Sequence, residues 1–175
     1  DFRHSLFHQL HQQQLYQMKG ENSLAKNRLE SIITDYPRTE TSAEAYYMLG
    51  EIAINENWDL DDAEKQYSQV TREFRKSQYT PTANLRVKQI KSYNDSKSSI
   101  TELSKEILTE VNNDTTNSDS IFIVKSNNVD SQVNYESLAN HYYNLAELEA
   151  FHFNRPSDAI INFLMIVDSL PRTSQ

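Results

Sequence analysis

His4, His8 and His11 recur at spacings of four and three residues, which brings three imidazoles to one face of a helix. Imidazoles so placed can ligate zinc or nickel. No carboxylate or cysteine joins them within that helix, and Ser5 and Gln9 flank them. A polar face on a glutamine-rich terminal helix is the simpler reading, and no metal is assigned. Asp59-x-Asp61-Asp62 offers carboxylates to calcium but lacks the glycine and the distal Glu of a calcium loop. Acids at a helix start answer the positive end of the helix dipole instead. His141 and His152 have the chemistry of general bases. No Ser, Thr or carboxylate stands at a spacing that makes a local nucleophile–base pair with them, and a triad assembled through space is not visible to sequence. There is no glycine-rich phosphate loop. These residues assign no catalytic group, metal or cofactor, and the chain reads as a non-enzyme.

The elements that hold these residues are helices. Only 2 glycines occur in 175 residues, whereas strand-rich domains use glycine for positive φ in their turns. The formal net charge is −8 and the pI about 5.1. Phosphate backbones and anionic membrane surfaces need clustered Lys and Arg, so nucleic acid and lipid headgroups are poor partners. Cysteine is absent, which excludes disulfides and thiol chemistry. No run of roughly 18 apolar residues offers a membrane span. No signal peptide is visible; because residue 1 is Asp, the chain is expected to be a fragment of a longer protein.

The helices repeat. Ala25, Leu29, Ile32 and Tyr36 align with Ala63, Tyr67, Val70 and Phe74 at a constant offset, 63 − 25 = 38. The same template fits Ala159, Phe163, Ile166 and Leu170, and Pro37 follows Tyr36 as Pro171 follows Leu170. An alanine with apolar residues four and seven positions on is one stripe of an α-helix. The alanine allows two helices to approach closely. A second helix precedes each: Phe7 to Met18, Ala45 to Ile54, and Leu138 to Phe151. Thr41 with Glu44 reads as a capping box, Asp59 as a helix start, and Thr80-Pro81 and Asn154-Arg-Pro156 as proline-led first turns.

Tyr46-x-x-Leu49-Gly50-x-x-Ala53…Ala63-x-x-x-Tyr67, Tyr16…Ala25-x-x-x-Leu29…Pro37 and Tyr143-x-x-Ala146-Glu147-x-x-Ala150…Ala159-x-x-x-Phe163…Pro171 together resemble the tetratricopeptide repeat (TPR). The glycine is absent from the first and last copies. Ile33 to Gly50 is further similar to TPR lipoproteins of bacterial envelopes, among them the lipoprotein of the outer-membrane β-barrel assembly machinery and the periplasmic Tol–Pal coordinator. Leu145 to Ile160 resembles envelope TPR proteins of gliding and type IX secretion.

The resemblance implies an all-α, TPR-like solenoid of about four helix pairs, with repeats near 5–38, 41–76, 80–112 and 135–171. A long polar loop, 113–134, is expected as a flexible insert before the last pair, either docked through Ile121 to Val124 or disordered. In the third pair Thr82 to Tyr93 is expected to be followed by a partner helix from Ile100 to Val111, although Thr101 stands where alanine belongs. In the first helix of a TPR pair one face lines a concave groove. The register places Phe7, Leu10 and Gln14, then Glu44, Tyr47 and Glu51, then Leu85 and Gln89, then His141, Asn144, Leu148 and Phe151 on it. None of these is Lys or Arg, which disfavours the carboxylate clamp of cytosolic TPR co-chaperones.

The implied function is a protein-binding scaffold for a helix or extended peptide, basic or apolar, in a periplasmic, outer-membrane-associated complex, with any lipid anchor outside this chain. A cytoplasmic TPR adaptor is the alternative, and a metal-binding or enzymatic helical domain the alternative of another class. The last helix carries more apolar residues than one face can hide. Leu164 and Val167 are therefore expected on an exposed C-terminal face that meets a further repeat or a partner.

Overall fold

The computed structural model describes residues 22–114 and 129–169. Among them every regular element is helical and no strand occurs. The helices are α1 (Asn22–Asp35), α2 (Glu40–Ile52), which runs on into a π-helical turn (Ala53–Asn57), α3 (Leu60–Glu73), α4 (Thr80–Asp114), α5 (Val129–Phe151) and α6 (Pro156–Ser169). The chain divides into two compact units, Asp1–Ile90 and Lys91–Gln175, and α4 contributes to both.

In the first unit α2 packs between α1 and α3. Ala25, Leu29 and Ile32 of α1 meet Ala45, Leu49 and Ile52 of α2, and Ile33, Tyr36 and Met48 close the edges. The period of 38 is visible in the burial. Ala25 and Ala63, Leu29 and Tyr67, and Ile32 and Val70 are all sealed from solvent, and so are Ala45 and Ala83, which stand 38 residues apart. Gly50 allows the closest approach. A Cβ there would lie 2.6 Å from Cε1 of the buried Tyr67 ring, so the tyrosine fills the space that any other residue at 50 would need.

The turns follow the helix-start chemistry with one displacement. The expected box of Thr41 with Glu44 does not form; the N-cap is Thr39, two residues earlier. Ser42 N–H donates to Thr39 Oγ1 (3.2 Å) and Thr39 N–H donates to Ser42 Oγ (3.1 Å). Arg38, at φ 59°, reverses the chain after Pro37 and brings Thr39 to the helix start. Serine thus takes the role expected of glutamate, and Glu44 is released to a different face. Asp59 caps α3 through Asp62 N–H (2.9 Å), and α4 and α6 begin at Thr80-Pro81 and at Pro156.

The expected third pair is not a pair. One helix of 35 residues runs from Thr80 to Asp114, where two helices joined by a turn were anticipated between Tyr93 and Ile100. The intervening Asn94 to Ser99 contains neither glycine nor proline, so nothing forces the hydrogen-bond ladder to stop. Of the expected polar insert, 113–114 end α4 and 129–134 begin α5. Its middle, with Ile121 to Val124, lies outside the described residues, as does the first expected helix, Phe7 to Met18.

In the second unit α5 and α6 form a hairpin whose turn matches that between α2 and α3. Asn154 (φ 54°) corresponds to Trp58 (φ 51°). Arg155 N–H donates to Glu149 O (2.8 Å) as Asp59 N–H donates to Ala53 O (2.9 Å). The offset is constant, 154 − 58 = 155 − 59 = 149 − 53 = 96, and it also relates Ala159 to Ala63, both buried. Along the preceding helices it sets Leu145 against Leu49, Ala146 against Gly50 and Leu148 against Ile52, and all six are buried.

Candidate functional site

Glu40, Glu44, Tyr47 and Glu51 follow one another at spacings of four, three and four, so α2 presents them on one face. Each glutamate is met by a donor from further along the chain. Glu40 Oε1 accepts from Ser77 Oγ (3.0 Å) and Gln78 N–H (3.1 Å). Glu44 Oε1 accepts from the Tyr79 hydroxyl (2.6 Å) and Glu51 Oε1 from the Tyr67 hydroxyl (2.8 Å). Arg86 adds a cation to the second of these corners, with Nε 3.4 Å from Glu51 Oε1. Tyr47 stands between the two, its ring centroid 5.5 Å from Tyr67 and 5.2 Å from Tyr79. These separations fall within the favourable range for aromatic pairs.

A groove of about 460 Å³ opens along this face, lined by Glu44, Tyr47, Met48, Glu51, Ile52, Asn55, Glu56 and Tyr79. Its lining mixes apolar and aromatic side chains with the carboxylates of Glu44, Glu51 and Glu56. Burial raises the Glu44 carboxyl above its usual range; the Tyr79 hydrogen bond opposes the rise and the Glu40 charge adds to it. The Tyr79 and Tyr67 hydroxyls are pushed up in turn, first by burial and then by the carboxylates they bond. The groove therefore holds its tyrosines as neutral donors and is short of positive charge.

Of the groove residues expected from the repeat, Glu44, Tyr47 and Glu51 come together here. Leu85 is exposed on α4, whereas Gln89 is buried and accepts a long hydrogen bond from Arg86 (3.5 Å). Phe7, Leu10 and Gln14 lie outside the described residues, as do His4, His8 and His11. The expected face on α5 is misregistered by one residue. Matching Tyr46 to Tyr143 gave an offset of 97, but the hairpins correspond at 96, so Tyr46-Tyr47 pairs with Tyr142-Tyr143. Glu44, Tyr47 and Glu51 then correspond to Asn140, Tyr143 and Glu147, all exposed. Leu148 is buried, and Asn144 turns inward, its Nδ2 donating to Ser92 Oγ (3.0 Å) and Ser96 Oγ (2.6 Å). Phe151, at the end of α5, is 76% exposed.

His141 does meet a serine through space: Nδ1 is 3.5 Å from Ser96 Oγ. Ser96 is buried and already engaged by Asn144, so this contact belongs to the packing of α4 on α5. His152 is exposed. Glu149 went unnoticed in the sequence and is the most buried acid among the described residues of the second unit. Its carboxylate accepts from the Tyr93 hydroxyl (3.0 Å) and from Asn162 Nδ2 (2.7 Å), and burial raises its pKa despite both bonds. Among the described residues no group of three or more His, Asp or Glu could hold a metal ion, and no helix is long and apolar enough to cross a membrane.

On α6, Leu164 and Val167 are exposed, together with Ile160, Ile161 and Met165. The 96-residue correspondence sets this patch beside the same positions of α3. Its counterparts on α3 are the polar residues Ser68, Thr71, Glu64, Lys65 and Gln69, whereas the sealed Tyr67 and Val70 correspond to Phe163 and Ile166. The counterpart of Val167, Thr71, meets the following helix, its Oγ1 donating to Asn84 Oδ1 (3.2 Å).

No protein-family model, no curated protein and no solved structure matches this chain.

Proposed function

We propose that this chain is a TPR-like helical-repeat scaffold that binds a segment of a protein partner along the face of α2. The observation that carries this reading is the groove between Glu44, Tyr47, Glu51 and Tyr79, about 460 Å³ in volume. It gathers aromatic and aliphatic side chains together with converging polar groups, the combination by which a recognition site holds and orients its ligand. The frame of the first unit supports it: its helices recur at an offset of 38, with buried alanines at 25, 63, 45 and 83. The similarity of Ile33 to Gly50 and of Leu145 to Ile160 to envelope TPR proteins supports a partner within a bacterial envelope complex.

Affinity capture from an envelope extract tests the proposal, with an Asn55→Trp variant as the comparison. Asn55 is exposed and lines the groove, so tryptophan there fills the space without disturbing the core. A specific partner retained by the wild type and lost by the variant is the expected result. Equal capture by both would show that the groove does not bind it.

A further inference from the structure

The groove contains two corners built alike. Each has a glutamate of α2 accepting a hydrogen bond from a buried or half-buried tyrosine, and both flank the ring of Tyr47. In the corner of Glu51 and Tyr67 a guanidinium completes the arrangement, since Arg86 Nε lies 3.4 Å from the carboxylate. In the corner of Glu44 and Tyr79 only one carboxylate oxygen is used, by the Tyr79 hydroxyl. No cation pairs with Glu44 among the described residues; Glu40 stands one turn away and Glu56 lies along the rim.

From this repetition we propose that the Glu44–Tyr79 corner takes an arginine side chain of an extended partner segment, as the neighbouring corner takes Arg86. The inference rests on the reading of this face as a protein-binding groove and names the residue that the groove selects. Four properties favour arginine. A planar guanidinium packs against aromatic rings, and Tyr47 and Tyr79 line the groove, while its fork of N–H groups reaches a carboxylate at the side. The second oxygen of Glu44 remains to accept a charge-assisted bond. A positive charge answers the carboxylates of Glu44, Glu51 and Glu56, of which Glu51 is paired with Arg86. Burial also leaves the Glu44 carboxyl raised, and an arriving cation would lower it again. The overall charge of −8 argues against a second copy of this chain as the occupant.

The experiment is selection of random heptapeptides displayed against the full chain, followed by anisotropy measurements on the best synthetic peptide. Arginine is expected at one enriched position. Replacing it with citrulline, which keeps the shape and loses the charge, should weaken binding roughly tenfold or more, as loss of a charged hydrogen bond does. Glu44→Gln, nearly isosteric, should do the same, and lysine in place of arginine should bind distinctly less well. Asn55→Trp should block all groove-bound peptides. Enriched peptides without arginine that Asn55→Trp still blocks would overturn the arginine assignment and leave the groove standing. Equal binding by lysine and arginine would also overturn it. Peptides indifferent to both Glu44→Gln and Asn55→Trp, or no enrichment at all, would overturn the arginine assignment and the groove together.

Discussion

The hairpins α2–α3 and α5–α6 share a turn, an alanine crossing and an offset of 96 residues, yet they are finished differently. In the first, Tyr67 and Val70 are sealed, and the outer positions of α3 are Glu64, Lys65, Ser68 and Gln69. In the second, the corresponding Phe163 and Ile166 are half-buried, and the counterparts of those four are Ile160, Ile161, Leu164 and Met165, all apolar and exposed. At the place of Ala53, buried and inert, stands Glu149, buried and held by Tyr93 and Asn162. A backbone pattern can therefore be conserved within one chain while the work of its faces is reassigned. The alanine at the crossing, Ala63 and Ala159, is kept, because a larger side chain there would overpack the two helices. The outer positions tolerate almost anything and diverge.

The largest expected effect tests the inner faces. Tyr67→Ala should cost about 3–5 kcal/mol, as loss of a fully buried aromatic does, measured by urea unfolding. Phe163→Ala should cost roughly half as much, because its site is already partly open and little new cavity forms. Equal losses would erase the distinction between the hairpins.

Next is the crossing itself. Gly50→Ala should destabilise by about 1–3 kcal/mol through contact with Tyr67, although alanine favours the helix by up to ~1 kcal/mol. The clash should prevail because the Tyr67 ring is buried and its hydroxyl is tied to Glu51. At the corresponding Ala146 the Cβ is already accommodated, so Ala146→Gly should cost only about 1 kcal/mol. A stabilised Gly50→Ala protein would show that the close approach relaxes freely.

The buried acid has a pH signature. Burial raises the Glu149 carboxyl above its ordinary 4.5, so the folded chain holds that proton more tightly than the unfolded chain does. This contribution to stability is full below about pH 4.5 and is lost as pH rises through the folded pKa. The stability of wild type relative to Glu149→Gln should therefore fall between pH 4 and pH 7. A difference that is flat across this range would place the carboxylate in water.

The smallest effect concerns α6. Leu164→Lys combined with Val167→Glu should shift stability by no more than about 0.5 kcal/mol, since exposed substitutions seldom do more. A large loss of stability would mean that these residues belong to a closed core.

Much of the frame was legible in the sequence. The alanine stripes at 25, 63 and 159, the cap at Asp59 and the proline-led starts are local signals, each decided within a few residues by helix periodicity or by a terminal hydrogen bond. Errors arose where local signals were degenerate. Adjacent tyrosines, Tyr46-Tyr47 and Tyr142-Tyr143, permitted two alignments, and the choice by one residue moved Leu148 from the core to the groove. Thr39 and Thr41 both suit an N-cap, and the reversal at Arg38 selected the first. Between Tyr93 and Ile100 a repeat was expected to turn, but no residue there stops a helix.

The sequence by itself determined that the chain is helical, where its alanine crossings fall and that α2 carries Glu44, Tyr47 and Glu51 on one face, because these follow from a period of 3.6 residues. Only the tertiary structure decided what that face becomes. Tyr79, 35 residues from Glu44, and Arg86, 35 residues from Glu51, close the two corners of the groove. Tyr93 and Asn162 reach Glu149 from helices on either side of α5 in the sequence. Such pairings depend on how the chain folds back, and no local spacing encodes that.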